Sequence, residues 1–171
     1  MIQISYKLTE PELYKGLTDI SDSRFITKLF RIIGSVLLAV MVFITTSTLI
    51  NGTFSFTLSF AFPIFLGIYF FFLSDITARF QVPSLIKKKN RFTEQVIIKM
   101  YETGFRVKGE TFANQFKWDN MNSIIETKDF FLLKDTEMTA SVIPKRVLTE
   151  EETAEFKKIV SNITGPKIKM G

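Results

Sequence analysis

Two side chains are missing from this chain altogether: among its 171 residues there is no cysteine and no histidine. Without cysteine there is no disulfide and no thiolate for catalysis or metal binding. Without histidine the commonest general base and the commonest metal ligand are also gone. Glycine-rich phosphate loops are absent too, since Gly104 and Gly109 stand alone as turn residues. Ser123 and Ser141 have no histidine to activate them. Asp119, Glu126, Asp129 and Asp135 sit in or near turns, at no spacing that marks an acid–base pair. The expectation is a protein that is not an enzyme and carries no cofactor or metal.

A further absence is local. Residues 32–74 contain no charged side chain, and the rest of the chain is organised around those 43 residues. One bilayer crossing takes about 20 apolar residues, so the stretch is long enough for two. Asn51-Gly52-Thr53 divides it, because Asn-Gly tolerates the positive φ of a tight turn. This predicts transmembrane helices over 29–50 and 54–73 with a turn at 51–53, each about 30 Å long at about 1.5 Å per residue. A 171-residue soluble chain could not bury two such helices on all sides. A cleaved signal peptide is not expected, since the apolar run begins far from Met1.

Lysine and arginine set the orientation. Arg24, Lys28 and Arg31 precede the first helix, and Arg79, Lys87, Lys88, Lys89 and Arg91 follow the second. The turn carries no charge, so the positive-inside rule places both termini in the cytoplasm of a multi-pass protein of the cell inner (plasma) membrane. No Asp, Glu, Lys, Arg or His lies within the stretch, which argues against a transporter or pump. Ser55, Ser59, Pro63 and Gly67 recur at i, i+4 spacing, as do Ser35 and Ala39. Rows of small residues let helix backbones approach closely. The row serves either to pack the hairpin or to form the seam of a homodimer. Pro63 is expected to kink its helix.

The net charge of +5 is unevenly placed. Residues 1–31 carry five basic and four acidic side chains, residues 75–91 five and one, and residues 92–171 twelve of each. The basic excess therefore belongs to the membrane-proximal linker. A nucleic-acid partner would call for it on the folded domain, so none is expected. Lys87, Lys88, Lys89 and Arg91 either contact anionic inner-leaflet lipid, at about 1 kcal/mol each, or only set topology.

Residues 2–8 alternate with period two and read as a strand. A strand of that length cannot stand alone, so it is expected to join the sheet of the C-terminal domain. Thr9 and Glu12 form a capping box around Pro11 and open a short helix that stops near Gly16. Pro83 is expected to end the helix leaving the membrane. From Phe92 the period returns to two: strands over 94–101, 105–108, 112–118, 123–127, 130–134 and 139–143, closed by Pro144. Trp118 reads as a core or rim anchor at a strand end rather than as a ligand platform. Phe130 and Phe131 point to opposite faces, one of them toward the core. Thr149 and Glu152 cap a helix to about Ile163, and the tail from Gly165 is expected to be loose.

Trp118-Asp119, then 126–131 (Glu-Thr-Lys-Asp-Phe-Phe), then Ile143-Pro144-Lys145-Arg146 and the Glu150-Glu151-Glu152 helix start carry a resemblance to the YcxB-like family of bacterial membrane proteins. The overall layout is similar as well. The resemblance implies a membrane α-helical hairpin plus an α+β domain, the latter a small antiparallel β-sheet or barrel of pleckstrin-like type with one C-terminal helix. It supplies no catalytic residues.

The expected organisation is an N-terminal strand and short helix (1–28), the two helices (29–73), a basic juxtamembrane linker (74–91), a cytoplasmic β domain (92–164) and a tail (165–171). Lys145 and Arg146 either hold an anionic headgroup or pair with Glu126 or Asp129. The functional expectation is an adaptor or regulator whose domain binds a protein partner, in the membrane or the cytoplasm, or anionic lipid. The alternatives are a bacteriocin self-immunity or stress-protection protein acting through the hairpin, and a structural subunit of a larger membrane complex.

Overall fold

Alternating burial along residues 2–6 makes the first strand, β1 (Ile2–Tyr6), an edge whose Ile2, Ile4 and Tyr6 point inward. The computed structural model describes residues 2–88 and 90–170. After β1 come α1 (Glu10–Ser23), α2 (Phe25–Ile50), α3 (Leu58–Phe71) and α4 (Leu73–Lys87). Six strands follow: β2 (Val96–Tyr101), β3 (Gly104–Lys108), β4 (Ala113–Lys117), β5 (Ser123–Glu126), β6 (Phe130–Lys134) and β7 (Ala140–Pro144). Helix α5 (Glu150–Ser161) and a short β8 (Lys167–Lys169) complete the described chain.

The strands form two four-stranded sheets, ordered β1-β2-β3-β4 and β7-β6-β5-β8. All pairings are antiparallel except β5 with β8. The N-terminal strand thus joins a sheet whose other members begin some 90 residues later, with Tyr6 opposite Val96 and Ile2 opposite Met100. The core lies between the sheets, where Ile98, Phe105, Trp118, Ile124, Phe131 and Phe156 meet. Aromatic rings dominate it: Trp118 lies 4.9 Å from Phe105, and Phe131 4.9 Å from Phe156. Trp118 Nε1 donates to the Tyr101 carbonyl at 2.9 Å, so its polar edge is satisfied inside the core.

Strand β6 is buried on both faces. Phe131 and Leu133 face the main core. Phe130 and Leu132 face a second cluster that is closed by Ile20 of α1. This settles where the second phenylalanine points: toward α1. It also explains why α1 runs on to Ser23 instead of stopping near Gly16. A Cβ at Gly16 would come 3.1 Å from Val142 Cγ1, so the glycine permits close approach of α1 to β7 and does not end the helix. Both expected capping boxes are present, Thr9 with Glu12 and Thr149 with Glu152.

The apolar stretch departs from two equal spans. Helix α2 begins at Phe25, four residues before the expected start, and is long and apolar enough to cross a membrane. Helix α3 has 14 residues, and it reaches spanning length only together with α4, across a 64° bend at Phe72. The bend falls where the chain leaves the charge-free run. Ser74 is buried there against Asp22 and Arg31, and α4 turns to lie along α1. Pro83 lies inside α4, which continues to Lys87, so the segment 74–91, expected as a linker, is largely helix. Gly52 takes a φ of +67° in the turn after α2, as its Asn-Gly dipeptide requires. The tail is not loose throughout, because β8 extends the second sheet from β5.

Helices α2 and α3 touch at Gly34 and Gly67, both buried. Thr27, Gly34 and Met41 are the buried residues of α2 and recur every seven positions, two helical turns apart. Of the small residues expected at a helix seam, Gly67 is at this contact. Ser35, Ala39, Ser55 and Ser59 are exposed, and Pro63 is half-buried within α3.

Candidate functional site

The candidate cations fall into three groups, sorted by what they touch. Lys145 and Arg146 are committed to partners within the chain. Lys145 Nζ lies 2.8 Å from Glu126 Oε1 and 5.2 Å from the centre of the Phe131 ring, while Lys157 holds the other Glu126 oxygen at 2.9 Å. Burial pushes the Glu126 carboxyl up, and the two lysines outweigh it, leaving the group below its ordinary value. Arg146 forks onto Glu12 through Nε and Nη2 and also donates to the Lys7 carbonyl at 3.2 Å. Asp129, the other expected partner, instead takes Lys15 at 3.0 Å. Arg146 thus fastens the N-terminal arm to the β7–α5 connection, and Lys15 fastens it to the β5–β6 turn.

Glu12 gives that fastening a pH dependence. The bond from Arg146 leads, opposed by burial and aided by the Thr9 amide and hydroxyl, and holds its carboxyl at about 2. An unfolded glutamate titrates near 4.3. The pair therefore stabilises fully above about pH 5 and its contribution fades as pH falls toward about 2. Because Arg146 is half exposed, the contribution is on the order of 1–2 kcal/mol. Glu12→Gln should lower the urea midpoint at pH 7 by roughly twice as much as at pH 3; an equal gap at both values would refute the coupling.

Lys87, Lys88 and Arg91 form the second group. Lys87 and Lys88 are exposed at the end of α4, and Arg91 is exposed with its guanidinium 5.7 Å from the centre of the Phe92 ring. Lys89 lies outside the described residues. Arg91 also borders a cavity of about 100 Å³ between the sheets, together with Tyr6, Glu94, Asn114 and Asp135. That is well below the ~300 Å³ at which small-molecule pockets begin. Glu94 is occupied in holding the β3–β4 turn. It accepts from the amides of Glu110 and Thr111 at 2.7 and 2.9 Å and from the Thr111 hydroxyl at 2.5 Å. The Thr111 hydroxyl first, and then these amides, hold its carboxyl below the usual range.

The third group escapes sequence reading. Lys134 ends β6 with 2% of its surface exposed, and its Nζ donates to Ser23 Oγ at 2.7 Å. Burial first, then the charges of Arg24, Lys28 and Lys169, push its ammonium below the ordinary lysine value, with Glu137 acting the other way. Arg24, between α1 and α2, donates through Nη2 to the Met138 carbonyl at 3.2 Å, and its buried Nε has no partner among the described residues. The sequence signal is the uninterrupted run Phe130-Phe131-Leu132-Leu133. Such a run marks a strand covered on both faces, so a lysine ending it is drawn inside.

The helices meet the domain beside this group. Arg31 Nη2 donates to Asp22 Oδ1 at 2.7 Å and to Ser74 Oγ at 3.1 Å, while Ser74 Oγ donates to the same Asp22 oxygen at 2.5 Å. Tyr14 OH donates to Asp75 Oδ1 at 3.0 Å. One closed set of polar contacts therefore joins α1, α2 and α4. Among the described residues no three His, Cys, Asp or Glu side chains come together in a way that could hold a metal ion.

No curated protein and no solved structure matches the chain. The family model described as YcxB-like protein matches residues 101–160, which run from the end of β2 into α5, and over that segment the chain is similar to the YcxB-like family.

Proposed function

We propose that this is a two-pass protein of the bacterial plasma membrane that carries its α+β domain on the cytoplasmic face and acts without catalysis. In this reading it is an adaptor or regulator that engages anionic lipid or a protein partner. The observation that carries the reading is the Asp22–Arg31–Ser74 joint. The helix entering the apolar pair and the helix leaving it are fixed to each other at the domain, so both ends of the pair open on one side. That side also carries Arg24, Lys28 and Arg31 before the apolar run and Arg79, Lys87 and Lys88 after it, whereas residues 51–57 carry no charge. In this reading the domain is pleckstrin-like, with its first strand separated from the second by the helices. The similarity over 101–160 is in keeping with this.

Two experiments test the reading. The natural chain has no cysteine, so single-site labelling needs no background removal. Asn51→Cys should react with an impermeant maleimide on intact cells, and Lys108→Cys only after permeabilisation; the reverse pattern would overturn the topology. A chimera with residues 36–66 exchanged for an unrelated apolar hairpin should complement a deletion strain. Failure of a well-expressed chimera would move the function into the helix pair.

A further inference from the structure

We infer that Arg24, Lys28, Lys134, Lys167 and Lys169 form a binding site for the phosphate of an anionic lipid headgroup, with the acyl chains lying along α2. The inference rests on the membrane reading above and assigns to it a site distinct from the Lys87–Arg91 segment.

The geometry starts from the sheet. Ser123 of β5 is paired with Lys134 on one side and Lys167 on the other. Residues in register share a face, and Lys169 lies two residues beyond Lys167, on that same face. This is the outer face of the second sheet, where Ile125 packs against the cluster that α1 closes. Three lysines therefore line up just past the edge of α1, where the chain passes through Arg24 into α2. An ammonium carries three donors, and among the described residues Lys134 satisfies one, on Ser23. The buried Nε of Arg24 is a second unused donor. Glu137 is the acid whose charge bears on Lys134, and the basic residues Arg24, Lys28 and Lys169 outnumber it. A buried, weakly paired cation among like charges costs stability, and an anion with several acceptor oxygens would relieve it.

A second observation favours a lipid over a free anion. Lys28 and Arg31 head an open groove that continues over Ile32, Ser35, Val36 and Phe71, with a volume of about 420 Å³ and an almost wholly apolar surface. Arg31 is already held by Asp22, which leaves Lys28 as the groove's uncommitted cation among the described residues. Lys28 and Ser35, seven positions apart, share one face of α2, and Arg24 stands at its N-terminal start. Cations above and an apolar channel below, on one helix face, match a headgroup with its chain. Phe25 and Ile26 beside them are exposed and apolar, as residues at the headgroup boundary are.

The test uses the full chain in neutral detergent doped with phosphatidylglycerol or phosphatidylcholine, with unfolding followed by Trp118 fluorescence. A ligand that binds the folded state raises the midpoint by mass action. Phosphatidylglycerol should raise it in the wild type and phosphatidylcholine should not. Lys134→Met, and separately Lys167→Ser with Lys169→Ser, should weaken the apparent affinity about tenfold, the loss of one charge-assisted contact. Lys108→Ser with Lys117→Ser, exposed on the first sheet away from the site, should leave it within about twofold. Lys134→Met keeps the side-chain length without the buried charge. The exposed Lys167 and Lys169 can be exchanged without disturbing the core, so the comparison survives a folding defect at position 134. Wild-type affinity in both variants would overturn the site. Equal stabilisation by inorganic phosphate alone would overturn the lipid as its source. Membrane integration is scored apart, by carbonate extraction from phosphatidylcholine vesicles. Release there overturns the membrane reading, whereas an integrated protein with no preference for phosphatidylglycerol overturns only the site.

Discussion

Deleting residues 2–8 should unfold the β domain, although every strand from β2 to β8 remains. Ile2, Ile4 and Tyr6 are each at most 6% exposed. Burying such side chains contributes about 2 kcal/mol apiece. Tyr6 OH also donates to the Val142 carbonyl at 2.5 Å, linking the first sheet to the second; a bond of this kind adds about 1 kcal/mol. Loss of β1 further uncovers Ile98 and Met100, both fully buried under its register. The total is comparable to the whole stability of a small domain, about 5–15 kcal/mol. Near-UV circular dichroism of the aromatic core in detergent should collapse, and Ile4→Asp should act in the same direction. A truncated protein with the wild-type unfolding midpoint would show that β1 is dispensable.

Gly34→Val should be the most damaging single change in the apolar helices. A Cβ at Gly34 would lie 2.8 Å from the Gly67 carbonyl oxygen and 3.0 Å from both Phe70 Cβ and Phe71 N. Two of these three neighbours are backbone, so α3 itself must move. A Cβ at Gly67 meets mainly the Leu38 side chain, at 2.8 and 2.9 Å, which can rotate away. Overpacking typically costs about 1–3 kcal/mol, and a branched side chain against backbone belongs at the upper end. The expected order of destabilisation is Gly34→Val, then Gly34→Ala, then Gly67→Ala, read from thermal midpoints in one detergent. Equal midpoints for the two alanine variants would contradict the asymmetry.

Local signals carried much of the fold. Alternation fixed β1 and β2, and the two capping boxes fixed the starts of α1 and α5. What escaped were features decided by distant partners. Gly16 looks like a helix stop until Val142 is placed against it. Pro83 looks like a terminator, yet α4 lies along α1 and continues to Lys87. The break at Phe72 has neither glycine nor proline to announce it; it follows from the buried Ser74 contacts. Spacing points to Ser35 and not to Gly34 because it shows only periodicity, while the choice of face depends on α3. Lys167-Ile168-Lys169 has no burial to reveal it as a strand, only a neighbour.

The candidate site was legible to a similar degree. Glu126 for Lys145, 19 positions apart, was one of the partners the sequence offered. Glu12 for Arg146 was not, since 134 positions separate them. Lys134 was invisible for a related reason: its burial depends on α1, its hydrogen bond on Ser23, and its electrostatic surroundings on residues from both ends of the chain.

The pairing of Tyr6 with Val96 also fixes an order of events during synthesis. The ribosome must add some 90 residues, including the whole apolar run, before β1 meets its partner strand. At about 5–20 residues per second that interval is roughly 5–20 s. On the membrane reading proposed above, helix insertion has time to finish while the domain cannot yet assemble. A nascent chain arrested before residue 96 would therefore display a bare edge strand, and the first sheet would close only on chains whose helices had already found their place.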